Sequence, residues 1–277
     1  MQNTASLWQI LCHDLEERQV KDSAEEHSAA ARRFEDAAKH VFQKHPGRLR
    51  DALEIAGDIH QASGATDEAA RCFGEAAAVQ GVAISQEARL ATKLAILSEK
   101  LGKIEDARKW YAAAVAAHDK QKDHAELPTL LNNLAALHRA CGDFPAAEKA
   151  YIRALGEAMA MRGADDPEVA LIADNLGVAY ADHGDFSKAE DQHLRALQIR
   201  EKIYGAQNPD VGQSLANLAM VYHARGLSAK AERFYHSALE TLSYFYPAGD
   251  PRLERIRESY ENLPQVRARR LSKTMRL

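Results

Sequence analysis

The sequence predicts an all-α fold, an α-α superhelix or solenoid of about five helix-turn-helix repeats. Three observations carry this expectation. The stretch NLGVAYADHGDFSKAE at 175–190 recurs as NLAALHRACGDFPAAE forty-two residues earlier and as NLAMVYHARGLSAKAE forty-two residues later. Five copies obey one template anchored on a glycine: Gly64, Gly102, Gly142, Gly184 and Gly226. Hydrophobic residues make up 46% of the chain but aromatics only 6%, an aliphatic, small-residue composition that suits closely packed helices better than a β-sandwich.

Each template position has a physical reason. Seven residues before the glycine stands a small residue (Gly57, Ala95, Ala135, Gly177, Ala219), and alanines follow five and twelve residues after it. Small residues let two antiparallel helices approach closely. A ring nine residues after the glycine (Phe73, Tyr111, Tyr151, His193, Tyr235) fills the layer between them. Glycine just past a helix end takes the left-handed conformation that closes it. Asp143 and Asp185 follow that glycine as caps for the next helix. Asp166-Pro167, Asn208-Pro209 and Asp250-Pro251 each place a cap residue before a proline at the first helical position. A single helical pair cannot bury its apolar face, so pairs stack.

In chain order, residues 1–45 read as a degenerate helical hairpin. Its first helix lies around Leu7, Ile10, Leu11 and Leu15, and its second keeps Ala30, Phe34 and Ala37 at template spacing. The solenoid spans 48–250, with repeats at about 48–81, 86–122, 128–163, 167–205 and 209–246. Residues 251–265, PRLERIRESYENLPQ, read as a more polar capping helix over the last repeat. Residues 266–277, with five basic residues and no acid in a chain of net charge −4, read as a basic, flexible tail.

The pattern resembles the tetratricopeptide repeat, W-x2-L-G-x2-Y…A-x3-F…P. The copy from Ala173 supplies Leu176, Gly177, Tyr180 and then Ala189 with His193. It departs from the pattern where Ala173 replaces tryptophan and where Glu201 takes the place of proline, so its second helix is expected to run on to about Tyr204. The 42-residue period and the paired NN or DN before leucine are similar to the repeats of kinesin light chains over roughly residues 86–250. The long heptad segment that precedes those repeats in kinesin light chains has no counterpart here. The resemblance therefore carries the repeat type and not the motor connection.

No Walker loop, G-x-G-x-x-G, H-E-x-x-H or G-x-S-x-G occurs. The chain reads as non-catalytic, without a cofactor, a metal site or a small-molecule substrate. His60, His138 and His193 occupy tyrosine or ring positions of the template and read as packed side chains. Three widely spaced cysteines, Cys12, Cys72 and Cys141, read as free thiols of a reducing compartment. With no signal segment and no membrane-spanning run, the expected location is cytoplasmic.

The informative residues lie on the first helix of each pair, just before the template leucine: Asn132 and Asn133, Asp174 and Asn175, Ala216 and Asn217, with Gln213 on the same helix as Asn217 also expected to line the groove. Successive helical pairs lie roughly 10 Å apart, and an extended chain advances about 3.3 Å per residue. An asparagine at each step could therefore meet a peptide backbone about every third residue through an amide that both donates and accepts. For kinesin-light-chain-like repeats, the resemblance implies peptide binding along this groove, with Asn133, Asn175 and Asn217 matching its pattern. The competing reading is that these amides bond between helices and fix the stacking. Arg89 and Lys93, four residues apart and on one face, read either as a plain solvated pair or as two cations that would favour an acidic residue or carboxylate of the ligand.

The expected function is thus a scaffold or adaptor that binds an extended peptide segment of a partner protein. The alternative is a structural or regulatory subunit that self-associates through convex or terminal surfaces. A weaker option is a nucleic-acid or membrane adaptor acting through the basic tail, although Asp174 and Asp182 on the first-helix face argue against nucleic acid.

Overall fold

The computed structural model describes residues 24–79, 84–122 and 124–267. The expected hairpin helix around Leu7–Leu15 and residues 268–277 of the expected tail lie outside the described residues. Val266, expected in that tail, is instead buried in the core of the last repeat. Among the described residues every regular element is a helix: α1 (Ala24–Val41), α2 (Pro46–Ala62), α3 (Thr66–Ala78), α4 (Ile84–Lys100), α5 (Ile104–Gln121), α6 (Leu127–Ala140), α7 (Phe144–Arg162), α8 (Pro167–Asp182), α9 (Phe186–Tyr204), α10 (Pro209–Ala224), α11 (Ser228–Ser243) and α12 (Pro251–Glu261). This is the all-α, paired-helix architecture of an α-α solenoid. The chain divides within α6 into two compact units, one up to Leu130 and one from Leu131.

The glycines end the first helices as their chemistry requires. Gly64, Gly102, Gly142, Gly184 and Gly226 all have φ between 69° and 86°. The residue after each donates its N–H five residues back, as in Ala65 to His60, Lys103 to Ser98, Asp143 to His138, Asp185 to Tyr180 and Leu227 to Tyr222. This is a Schellman closure. The following helix starts on a cap where the sequence supplies one. Asp143 accepts from Ala146 N–H and Asp185 from Lys188 N–H. Asp166, Asn208 and Asp250 likewise accept from Glu168, Asp210 and Arg252, each with proline at the first helical position. Helix α9 runs to Tyr204 and closes at Gly205, as the missing proline allows.

In the N-terminal unit, α1 packs on α2, and the pairs α2–α3 and α4–α5 form successive hairpins. Ala31, Phe34 and Ala38 of α1, with Phe42 just past its end, meet Ala52, Ala56 and Ile59 of α2 in one core cluster. Leu53, Phe73, Ala76, Leu90, Leu94 and Leu97 form the next. In the C-terminal unit the hairpins α8–α9 and α10–α11 stack, and α12 packs on α11. There Leu253, Ile256, Leu263 and Val266 join the core built by Tyr222, Tyr235 and Leu242. The mainly polar α12 thus buries only a narrow apolar edge over the last hairpin.

One rule of stacking repeats along the C-terminal unit. The glutamate that ends the recurring motif accepts from a tyrosine in the next repeat, Tyr180 to Glu148 at 2.8 Å and Tyr222 to Glu190 at 2.7 Å. Beneath the last repeat Gln265 replaces the tyrosine, donating to Glu232 at 3.2 Å.

Candidate functional site

In the C-terminal unit the first helices α6, α8 and α10 present the six expected amide and carboxylate residues, and the structure brings them together in pairs. Asn175 Nδ2 donates to Asn132 Oδ1 at 2.9 Å. Asn132 Nδ2 in turn lies 3.3 Å from Asn133 Oδ1. One repeat further, Asn217 Nδ2 donates to both carboxylate oxygens of Asp174 at 3.1 Å. Gln213 Nε2 donates to Asn217 Oδ1 at 3.0 Å. The amides therefore link successive first helices, each to the residue one position before its counterpart in the preceding repeat.

For Asn132, Asp174 and Asn217 this is the between-helix bonding of the competing reading and not an outward-facing ladder. Asp174 and Asn217 are each only 7% exposed, and Asn132 is buried too. Asn133 and Asn175 are half-buried, and Gln213 is exposed. At Asp174 and Asn217 the amide and carboxylate satisfy one another, because an unpaired polar group there would cost about 1–3 kcal/mol.

Asp174 is the centre of a larger network that the sequence reading passed over. Its Oδ1 lies 2.6 Å from His193 Nδ1, and its Oδ2 accepts from Arg200 at 2.9 Å. Arg200 also donates to Ser214 Oγ at 2.5 Å. Burial pushes the Asp174 carboxyl up, but the His193 bond, the Arg200 charge and the Asn217 amide outweigh it and hold the group below its ordinary value. The only sequence signal was His193 at a position where four other copies place an aromatic ring. The ring packs on Gly177, where an added Cβ would lie 2.8 Å from it.

In the N-terminal unit, Arg89 and Lys93 are brought together, but not as free cations. Arg89 grips Glu54 with two bonds of 2.7 and 2.6 Å. Lys93 donates to Glu54 at 3.0 Å and to Asp58 at 2.6 Å. Lys93 also lies over the Phe73 ring, 4.9 Å from its centroid. Burial would raise the Glu54 carboxyl, and the two cations reverse that, keeping it depressed. An open cavity of about 500 Å³ here is lined by Asp51, Glu54, Ile55, Asp58, Arg89 and Lys93. Three carboxylates face two cations, which corrects the expectation of a positive end that favours an acidic ligand. The Lys93–Glu54 link also has the register of Asn175–Asn132 and Asn217–Asp174, so lysine substitutes for the amide in the same stacking contact.

Some of the first-helix surface stays open. Leu171 on α8 is 48% exposed and Met220 on α10 is 47% exposed. Gln213 and Met220 border a cavity of about 350 Å³ whose far wall is Arg252, Arg255, Ile256 and Ser259 of α12. Arg252 is held by Asp250 and stacks on Tyr246 at 3.6 Å. Leu171 and Met220 fall outside the recurring template positions, so the repeat pattern carries no signal for them.

A stack of helical hairpins with a partly apolar, amide-bearing first-helix face is a helical-repeat scaffold for protein–protein interaction. The family model for the tetratricopeptide repeat matches residues 86–156, 126–202 and 168–243. These segments cover more than half of the chain, which belongs to that family, and its repeats are of the kinesin-light-chain-like type. BtubC (BKLC) from P. vanneervenii is similar in structure, with a TM-score of 0.63 and 26% identity over 83% of this chain and 96% of that one. A Podosopora anserina protein assigned as a kinesin light chain, with nearly identical TPR-like repeats, has a TM-score of 0.61 at 18% identity over 74% of this chain and 99% of its own. YrrB, described as a TPR protein with an unusual peptide-binding site, shares the fold at a TM-score of 0.55 and 13% identity, over 78% and 95% of the two chains. No curated protein matches the chain. No described helix is long and apolar enough to cross a membrane.

Proposed function

We propose that this protein is an adaptor that holds an extended segment of a partner protein along the first-helix face of its C-terminal unit. The observation that carries the reading is the alternation on that face. Exposed apolar Leu171 and Met220 stand beside the half-buried Asn175 and the exposed Gln213, next to a cavity of about 350 Å³. Apolar side chains of a ligand would bury against the first pair, while Asn175, Asn133 and Gln213 lie where a backbone amide could reach them. Asn217 and Asp174 serve this face from beneath, by fixing the spacing of α8 and α10. Arg89 and Lys93 are set aside as selectors of acidic ligands, since Glu54 and Asp58 already balance them. A reducing, cytoplasmic setting suits the exposed Cys141, which is in no disulfide.

The test is partner recovery from the native cell with Leu171→Glu and Met220→Glu combined. The expected result is loss of the partner with helicity and melting unchanged, and full recovery would refute the reading. The alternative is self-association through a terminal surface. It is favoured by Tyr244, 81% exposed beside Phe245 in the turn after α11. That reading requires a concentration-dependent mass in solution that Tyr244→Ser abolishes.

A further inference from the structure

We propose that Glu35, His60 and Cys72 form a binding site for one divalent transition-metal ion of the zinc class. The three side chains come from α1, α2 and α3. A carboxylate oxygen of Glu35, a ring nitrogen of His60 and Cys72 Sγ all lie within 4.8 Å of one another, and all three residues are buried. Oxygen, nitrogen and sulfur donors together are the ligand set of zinc, with bonds of about 2.0–2.3 Å. The donors of a tetrahedral site stand about 3.3–3.8 Å apart, so the three side chains close on the ion and a solvent oxygen supplies the fourth ligand.

The independent observation is His60. It is fully buried, its Nδ1 lies 3.0 Å from Ser28 Oγ, and its Nε2 has no hydrogen-bond partner. An unsatisfied buried ring nitrogen is costly, by about 1–3 kcal/mol. If Nδ1–H donates to Ser28, Nε2 presents a lone pair with no proton to receive. A metal ion is what such a nitrogen binds, and the Ser28 hydroxyl then orients the ring, as outer groups do for histidine ligands.

The charges also allow it. Glu35 now accepts from Arg71 twice, at 2.6 Å each, and from Lys39 at 2.6 Å. Both cations have a second partner in Glu75, Arg71 at 2.7 Å and Lys39 at 2.6 Å. They can therefore stay paired when Glu35 turns to the ion. On binding, the S–H bond of Cys72 breaks, its proton goes to solvent and a sulfur–metal bond forms. The Cys72 thiolate and the Glu35 carboxylate then neutralise the ion itself. Because Glu35 is already ionised, binding exchanges one proton for the dication and raises the local charge by one, with Arg71 and Lys39 left sharing Glu75. The ion would join three successive helices at the start of the stack.

The experiment titrates cobalt(II) into the full, reduced chain carrying Cys12→Ser and Cys141→Ser, which leaves Cys72 as the only thiol. The expected result is a sulfur-to-cobalt charge-transfer band with tetrahedral d–d bands, saturating at one ion per chain and erased by one equivalent of zinc. Cys72→Ser in the otherwise native chain loses the band. A folded double variant that shows no band overturns the proposal, as does a band that survives Cys72→Ser. The double variant decides the matter even if Cys72→Ser fails to fold.

Discussion

Asn217 donates its side-chain amide to both oxygens of Asp174, forty-three residues earlier, at 3.1 Å each. The bond joins two repeats through groups that the sequence alone would place at a ligand. Replacing Asn217 with alanine removes a donor from a buried carboxylate. The expected loss of stability is about 1–3 kcal/mol, read as a lower urea midpoint at unchanged slope. A change of only a few tenths would mean that Asp174 is satisfied without it.

The small residue and the ring of the template form one unit of packing at Gly177 and His193. A Cβ at Gly177 would stand 2.8 Å from the ring, and His193 is itself tied to Asp174, so it cannot swing away. Gly177→Ala is expected to cost about 1–3 kcal/mol through overpacking. In a His193→Ala background the penalty of Gly177→Ala should largely vanish. A double-mutant cycle by thermal melting checks this, and additive effects would reject it.

The repeat was legible because it is written in backbone constraints. Gly184 must take positive φ, Asp185 must cap, and Ala189 and Ala196 must let helices touch; such demands appear as residue identity at fixed spacing. The fate of the polar residues was not legible in the same way. Neighbouring positions on a helix are turned about 100° apart, and that turn separates the buried Asp174 from the half-buried Asn175. His193 and Arg200 lie 19 and 26 residues from Asp174 on the other helix of the hairpin, a separation no motif records. Glu35, His60 and Cys72 are drawn from three helices with no metal-ligand spacing, so only the folded chain assembles them.

Acid should weaken the N-terminal unit through Glu35. The Arg71 bond, against the opposing push of burial and with Lys39 and Cys72 assisting, holds this carboxyl down to about 2 from an ordinary 4.5. A pKa lower in the folded than in the unfolded chain gives stability that is complete above about 4.5 and lost as pH falls toward about 2. Glu35→Gln lacks this titration. With a chelator present, the stability gap between the native chain and Glu35→Gln should narrow steadily through that window. A gap independent of pH would show that Glu35 is not held ionised by its partners.

The pairing of Arg89 and Lys93 makes a prediction opposite to the one their sequence spacing suggests. In the native chain these two cations share a cavity with Asp51, Glu54 and Asp58, so a hexaglutamate peptide should gain nothing from them. Neutralising both with Arg89→Gln and Lys93→Gln should leave its weak binding unchanged. Converting Glu54→Gln and Asp58→Asn instead leaves the two cations opposed by Asp51 alone. Exposed ion pairs contribute up to about 1 kcal/mol each, so with two cations binding of the peptide should rise by up to about thirtyfold. The gain should fade as salt screens the pair. Anisotropy of a labelled peptide at two salt concentrations, with circular dichroism to confirm folding, measures all three proteins. Loss of native binding on neutralising Arg89 and Lys93 would show that Glu54 and Asp58 yield these cations to a ligand after all.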